Sequence, residues 1–496
     1  MNLAEVFDRH DGESVALISR GKATTYDELR SQVAALRAGL QGAGLEPGDR
    51  LAIICGNNWY FVAAYLAALG AGLVAVPLNP ISPSTELSIE LDTVGAKGVV
   101  VGPTGREIFA SIDPGSIPTV ETVIGCGFSP EGGVDLDDLI EGDTAPIVER
   151  DDDDLAVLVF TSGTAGSPKA AMLSHGNLRT NIAQMLSVPG HAQGAEDVVF
   201  AVLPFFHIFG LNVVLGSTLA TGASMLLVER FDPISAVEAI GKHGATVVSG
   251  PPTMWQAWAM FPDIAADAFA PVRLAVSGAA RLPEETARAF EARFGLHLAE
   301  GYGLTEAAPV VTSSVDTGAP FGSVGVPVPG LEVRITDESG DDALIGDSGE
   351  LWVRGPNVFL GYWKDPVATA QVLDDDGWLH TGDVATVDDD GFLYLVDRVK
   401  DLIIVSGFNV YPAEVEDVLM QHPGIDACAV VGVPHPYSGE AVKAYVVTVR
   451  GESVEEDDII AFCSTRLARY KCPEKVWFVD EVPQGMGGKV LRRALR

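Results

Sequence analysis

Lysine is the scarce residue of this chain: only ten of its 32 basic residues are lysine, in 496 positions. Composition therefore does not explain a lysine that stands inside a candidate motif. Cysteine is scarce too. Cys55, Cys126, Cys428, Cys463 and Cys472 are scattered, with no C-x-x-C pair. That excludes a disulfide framework and a thiolate metal site, and suits a reducing, cytoplasmic setting. No apolar run approaches about 18 residues, so no spanning helix is expected and membrane contact is peripheral at most. No basic-then-apolar segment opens the chain. Positive charge is short overall: the net charge is −36. Nucleic acid and anionic membrane surfaces are repelled by such a field and are not expected partners. Internal repeats, low-complexity tracts and a G-x-x-x-x-G-K-[ST] phosphate loop are all missing.

What is present is a soluble globular composition, 47% apolar and 20% charged, in a chain too long for one core. Its focus is Phe160-Thr-Ser-Gly-Thr-Ala-Gly-Ser-Pro-Lys169. The apolar run Leu155 to Phe160 predicts a buried strand. It opens into a small-residue loop where Gly163 and Gly166 let backbone approach a ligand closely. Thr161, Ser162 and Thr164 add hydroxyls, and Lys169 adds a cation. Clustered donors plus one cation suit a polyphosphate. The plainer reading is a flexible turn between two strands.

Strands are expected at 15–18, 23–26, 51–55, 73–77, 170–173, 246–248 and 274–276, and helices at 29–40, 59–69 and from 177 to about 186. This alternation to about residue 280 predicts doubly wound α/β layers. From Gly322 to about Val396, short strands (332–335, 350–354, 393–396) between Gly, Pro and Asp turns predict a small β subdomain. The last hundred residues read as a small α+β domain, with helices at 412–421 and 454–468 and strands at 427–433, 442–449 and 476–479. The carboxylate run Glu149 to Asp154 fits an exposed linker better than a metal site.

Several stretches carry candidate chemistry, each with a plainer alternative. His207 stands among phenylalanines in Leu203-Pro-Phe-Phe-His-Ile-Phe-Gly210, either as a satisfied core histidine or as the gate of an apolar pocket. Gly250-Pro-Pro252 is a candidate pocket wall. Gly278, Ala279 and Ala280 follow a strand and leave room for a flat ligand. In Glu300-Gly-Tyr-Gly-Leu-Thr-Glu306, Gly301 and Gly303 flank Tyr302 and free its ring for stacking. Glu306 offers a hard oxygen for Mg²⁺, while Thr305 is either a phosphate donor or an ordinary helix cap. Asp383, in Thr381-Gly-Asp383, suits two vicinal hydroxyls of a ribose. Lys489 stands on a glycine-rich loop near the end of the chain.

Together these stretches resemble the adenylate-forming superfamily of acyl-CoA synthetases, nonribosomal adenylation domains and firefly-type luciferases. The carriers, in order, are 25–29 (Thr-Tyr-Asp-Glu-Leu), Thr161 to Lys169, Glu300 to Glu306, Gly349-Glu-Leu351, Gly361-Tyr-Trp363, Thr381-Gly-Asp383, Asp397 to Glu416, and Gly488-Lys489. The pattern is most similar to bacterial fatty-acyl-CoA synthetases. The resemblance implies a large N-terminal adenylation domain (1–397) and a small mobile lid (398–496). It implies ATP, Mg²⁺ and coenzyme A as reactants. A carboxylate attacks the α-phosphate to give an acyl-adenylate, and the thiol then displaces AMP.

By the same resemblance, Thr161, Ser162, Gly163, Thr164, Gly166 and Lys169 hold the β- and γ-phosphates. Gly278, Ala279, Ala280, Gly301 and Tyr302 form the adenine slot, and Glu300 and Gly303 belong to the same ATP/AMP site. Thr305 bonds the α-phosphate, Glu306 ligates Mg²⁺, and Asp383 with Arg398 clamps the ribose. Lys489 bridges the two reacting anions, Lys400 is the hinge, and Ser406 and Gly407 lie near pantetheine. His207, Phe209, Gly250, Ala279 and Val310 line the acyl pocket. A medium- or long-chain fatty acid is expected. Aryl-CoA ligation, carrier-protein loading and a catalytically silent binding protein are the rivals, and a homodimer is left open. Four positions depart from the pattern: Ala165 and Ala170 replace a usual threonine and glycine. Ile404 and Asn409 replace the lysine and glutamine of some aryl-CoA ligases.

Overall fold

The protein was analysed as a computed structural model. It describes the chain except residues 162–167, 338, 399–400, 406–407, 436–438, 453, 485–489 and 496, together with the side chains of 398, 408, 409, 439 and 493. Among the described residues, two large sheets carry most of the chain. A seven-stranded sheet has the spatial order Val134–Asp135, Thr122–Gly125, Gly98–Val101, Arg50–Ile54, Val74–Leu78, Leu155–Thr161, Lys169–Ser174. A nine-stranded sheet runs Val326–Pro327, Val310–Ser313, Ala299–Gly303, Leu274–Ser277, Val247–Gly250, Val198–Ala201, Ser224–Leu227, Val15–Ser19, Lys22–Thr25. The central pairings of both are parallel, as the strand–helix alternation predicts.

Helices form where local chemistry and burial agree. Tyr26–Gly42 starts at a capping box: Glu28 N–H donates to Thr25 Oγ1 (3.2 Å) and Thr25 N–H donates to Glu28 Oε2 (2.9 Å). Leu29, Val33, Leu36 and Leu40 then point to one buried face, each worth about 1.5–3 kcal/mol of burial. Trp59–Gly70 is apolar nearly all round because one core takes it on every side. That core also contains Leu51 and Val157 of one sheet and Met225 and Val247 of the other. The outer face of the nine-stranded sheet packs on an aromatic cluster of Trp255, Trp258, Phe269 and Phe290, whose rings meet edge-on at about 5 Å.

A third sheet of four antiparallel strands (Glu332–Thr336, Gly349–Arg354, Leu379–Val387, Leu393–Arg398) is the expected β subdomain. Val326–Pro327 is not part of it and extends the nine-stranded sheet instead. The last sheet contains Phe408–Val410, Ile403–Val405, Gly439–Thr448, Ile425–His435 and Lys475–Phe478, and has its own core around Val430, Val442 and Ile459. The large α/β part followed by a small α+β domain is therefore the architecture expected from the sequence.

Boundaries shift where tertiary contacts decide them. The helix expected at 454–468 spans only Glu456–Ser464, and the strand expected at 246–248 is Val247–Gly250. A π-helix over Phe209–Gly216 is not foreshadowed by the sequence. The acidic run before Leu155 is a tied turn: Asp152 pairs with the N-terminal ammonium (3.0 Å) and with Arg179 (2.9 Å). No group of carboxylates, histidines or cysteines among the described residues could hold a metal by itself. No helix there is long and apolar enough to cross a membrane.

Candidate active site

In the nine-stranded sheet, Val198–Ala201 has Ser224–Leu227 on one side and Val247–Gly250 on the other. Chain order reverses there, and ligands of open α/β sheets bind outside the carboxyl ends of strands at such a point. The loop carrying His207 and Phe209 leaves one of these strands, and Gly250 ends its neighbour. Register carries the site onward: Gly250 pairs with Ser277, and Ser277 with Glu300. Gly278, Ala279 and Gly301 therefore lie along the same edge.

Small residues are required here by close approach. A Cβ on Gly278 would sit 3.0 Å from the Phe209 ring, and one on Gly303 would sit 2.2 Å from the Pro309 carbonyl oxygen. Ala279 has φ 70°, a left-handed conformation uncommon for a side-chain-bearing residue. Beside Gly250, the Met254 methyl lies 1.8 Å from where a Cβ would be, so the thioether fills that corner. The Phe209 N–H donates to His207 Nδ1 (3.2 Å), which makes that nitrogen the acceptor of a neutral ring. His207 is open to solvent, yet protein surrounds it, and desolvation holds its pKa below the ordinary value. Val310 is fixed through both backbone groups by Asn181 (2.8 and 3.0 Å).

Thr305 and Glu306 lie on one 3-10 turn, Thr305–Ala307. Leu304 precedes the turn and no side chain caps it, so Thr305 is not the ordinary cap of the plainer reading. Around the turn, a segment the sequence left without a role closes the site. Met172 N–H donates to the Gly361 carbonyl, and Trp363 N–H to the Ala170 carbonyl (2.9 and 2.8 Å). This lays Leu360–Trp363 beside the strand Lys169–Ser174. Phe359 N–H donates to the Glu306 carbonyl (2.9 Å), and Asn357 Nδ2 to the Ala307 carbonyl (2.7 Å).

Tyr362 is thereby placed between two candidate phosphate-site groups. Its hydroxyl donates to Glu306 Oε1 at 2.7 Å, and Lys169 Nζ lies 5.0 Å from its ring centroid. Burial, reinforced by the Glu306 carboxylate, pushes the Tyr362 pKa far up, so the hydroxyl keeps its proton. Gly361-Tyr-Trp363 was legible as a motif, but only the fold reveals what Tyr362 touches. Ala170, where the resemblance leads one to expect glycine, is 2% exposed and its methyl joins the core beside Trp363.

Tyr302 and Asp383 also meet: the phenol donates to Asp383 Oδ2 at 2.6 Å, with both residues buried. Asp383 is steadied by its own N–H donating to Thr381 Oγ1 (3.1 Å). Glu300 accepts the Leu282 N–H (3.3 Å), and burial raises its pKa to about 7. Thr161 pairs with Lys169 across the base of the glycine loop. Ser162, Gly163, Thr164, Ala165 and Gly166, with Lys400, Ser406, Gly407 and Lys489, lie outside the described residues, as does the Arg398 side chain.

The residues fit Mg²⁺ in one respect. A single hard carboxylate, Glu306, shares Tyr362 with Lys169, and no cluster of protein metal ligands surrounds it among the described residues. That is the usual donor set where substrate phosphates supply the rest.

Comparison with known proteins agrees with this layout. Residues 3–363 match the AMP-binding enzyme family, and residues 414–489 match the AMP-binding enzyme C-terminal domain. A feruloyl-CoA synthase from Amycolatopsis sp. is 40% identical over 98% of this chain and 96% of its own length. A long-chain-fatty-acid–CoA ligase from Yersinia pestis is 36% identical over 100% and 94%. ATP-bound MatB from Rhodopseudomonas palustris superposes with TM-score 0.92 at 35% identity, covering 100% of this chain and 98% of that one. Apo MatB gives 0.81 at 36% identity over the same shares. The chain belongs to the AMP-binding enzyme family, within the adenylate-forming superfamily. It is an AMP-forming acyl-CoA synthetase, with ATP, Mg²⁺ and coenzyme A as its reactants.

Proposed function

We propose that this synthetase activates an apolar monocarboxylic acid of compact, flat shape, an aryl or arylalkenyl acid. One observation carries this. The corner beside Gly250 is filled by the Met254 methyl, with fully buried Trp255 next in the chain. Together with the Phe209 ring against Gly278, this puts apolar bulk on the walls assigned to the acyl pocket, and we take that pocket to be short. No basic residue stands among Phe205, Phe209, Gly250, Met254, Val310 and Val311 to pair a second carboxylate. The likeness to a feruloyl-CoA synthase supports the reading.

The medium- or long-chain fatty acid favoured by the sequence is the second reading. Met254 supports it, because an unbranched thioether can swing aside and lengthen the slot. The likeness to long-chain-fatty-acid–CoA ligases supports it as well.

In the first half-reaction, a carboxylate oxygen attacks the α-phosphorus of ATP and the bond to pyrophosphate breaks. Lys169 and the glycine loop hold the leaving phosphates. Thr305 donates to the α-phosphate, and Asp383 holds the ribose hydroxyls beside Tyr302. Lys489 stands between the two anions and offsets their repulsion. Glu306 would hold Mg²⁺, which would supply charge neutralisation at the phosphates. In the second half-reaction the coenzyme A sulfur attacks the acyl carbon and AMP leaves. We assign the change between them to rotation of residues 398–496 about Lys400, with Ser406 and Gly407 brought to the thiol channel.

ATP–pyrophosphate exchange over a panel of hydroxycinnamic, benzoic, medium-chain and long-chain acids, followed by coenzyme A, tests the proposal. Exchange and thioester release highest with an aryl acid are expected. Preference for a long-chain acid moves the assignment to the second reading, and exchange without thioester release points to carrier loading. No exchange with any acid overturns the substrate proposal.

A further inference from the structure

Among the described residues, the tail beyond the glycine-rich loop is tied by Arg492 together with backbone contacts. Gln484 bridges Val490, and Leu491 N–H donates to the Pro483 carbonyl (2.8 Å), which closes the base of the loop carrying Lys489. Arg492 follows at once, on a 3-10 turn whose Leu495 carbonyl accepts from Tyr445 OH (2.7 Å). The Arg492 side chain is only 15% exposed. Its Nη2 and Nε donate to the two oxygens of Glu416 at 2.6 and 3.3 Å, a forked pairing that fixes direction as well as distance. Its Nη1 faces Asp397 Oδ1 at 3.8 Å and Asp401 Oδ2 at 3.5 Å.

These carboxylates are distributed informatively. Asp397 ends the four-stranded sheet side of the chain, Asp401 begins the small domain, and Lys400 lies between them. Asp397 also accepts the Ala413 N–H (2.8 Å) at the start of the helix Pro412–Leu419, and that helix carries Glu416. Glu416 in turn accepts the Val430 N–H (2.7 Å). One guanidinium thus ties the loop base to both flanks of the hinge and to the lid's first helix. A rotation about residue 400 carries Glu416 and Asp401 with Arg492 but moves Asp397 away from it.

We propose that Arg492 is a positioning residue for adenylation. It fixes the base of the Lys489 loop and ties that placement to the hinge setting in which Asp397 lies against it. The inference rests on the role given to Lys489 above.

The test measures the two half-reactions separately in the full-length enzyme. Lys489→Ala is the standard: it should abolish ATP–pyrophosphate exchange and spare thioester formation from supplied acyl-adenylate. Arg492→Gln should give the same pattern in weaker form, with exchange down about 100-fold, the scale of a roughly 1 Å misplacement, and thioester formation unchanged. Arg492→Lys keeps the charge without the fork and should recover part of the exchange. Asp397→Asn should lower exchange without lowering thioester formation. Equal loss of both half-reactions in Arg492→Gln overturns the proposal, because that is what a merely structural role predicts. Wild-type exchange in Arg492→Gln overturns it as well. If Arg492→Gln does not fold, Arg492→Lys and Asp397→Asn decide by the same split. Absence of exchange in the wild type, with every acid, would instead strike the role of Lys489 itself.

Discussion

The Tyr362 hydroxyl donates to Glu306 Oε1 at 2.7 Å while its ring lies 5.0 Å from the Lys169 ammonium. One side chain therefore touches both the carboxylate suited to Mg²⁺ and the cation suited to phosphate. The hydrogen bond holds one carboxylate oxygen and leaves the direction of the other defined. The ring face attracts the ammonium, an effect worth about 0.5–2 kcal/mol.

Tyr362→Phe keeps the ring and removes the hydroxyl. Hydrogen bonds to charged groups are worth about 1.5–3 kcal/mol, so ATP–pyrophosphate exchange should fall about 10- to 100-fold. The Mg²⁺ concentration needed for half-maximal exchange should rise, and calorimetry should show weaker binding of Mg·ATP. Unchanged magnesium dependence would show that the hydroxyl does not orient Glu306.

Met254→Ala removes the thioether that fills the corner beside Gly250. A buried Met→Ala change costs about 2–5 kcal/mol of stability, which a denaturant titration would register. The substrate profile is the sharper readout. Relative kcat/KM for long-chain over hydroxycinnamic acids should rise, because the slot lengthens. A profile that stays in proportion would place the end of the acyl slot elsewhere.

Two buried histidines and a buried glutamate make opposite demands on pH. Desolvation lowers His175 and His191 to about 4, so both stay neutral when folded. The unfolded chain takes up protons near pH 6.5, so their contribution to stability is lost as pH falls from there to about 4. Glu90 is raised to about 8 by burial, with a lesser push from Glu86. The folded state therefore resists its ionisation, and stability is lost as pH rises from about 4.5 to 8. One proton's difference amounts to at most about 1.4 kcal/mol per pH unit. Glu90→Gln should reduce the loss on the alkaline side, most clearly between pH 7 and 8 where Glu300 no longer contributes, and leave the acid side as it was. Identical pH–stability curves for Glu90→Gln and wild type, from chemical denaturation, would contradict this.

Most of the architecture was legible because it rests on short-range rules. The apolar run before residue 160 pointed to a strand, the apolar spacing over 29–40 to a helix, and the Gly-Pro-Asp texture after 322 to a β sheet. Each is a local periodicity or texture. Edges were less legible. Val326–Pro327 joined the larger sheet because its partner, Val310–Ser313, is remote from any local signal. The Phe209–Gly216 π-helix has no marker in the sequence.

By itself, the sequence determined which chemical groups are available and in what order: the glycine loop with Lys169, Tyr302, Thr305, Glu306, Asp383 and Lys489. Spacing and side-chain type are sequence properties, and they were enough to suggest an adenylate-forming chain. Only the tertiary structure decided which groups act on one another. Tyr362 reaches Glu306 because residues 360–363 lie beside the strand after the loop. Arg492 meets Asp397 and Glu416 across 95 and 76 positions of chain. Contacts over such separations are set by how sheets stack and how the tail folds back, and no local pattern encodes them.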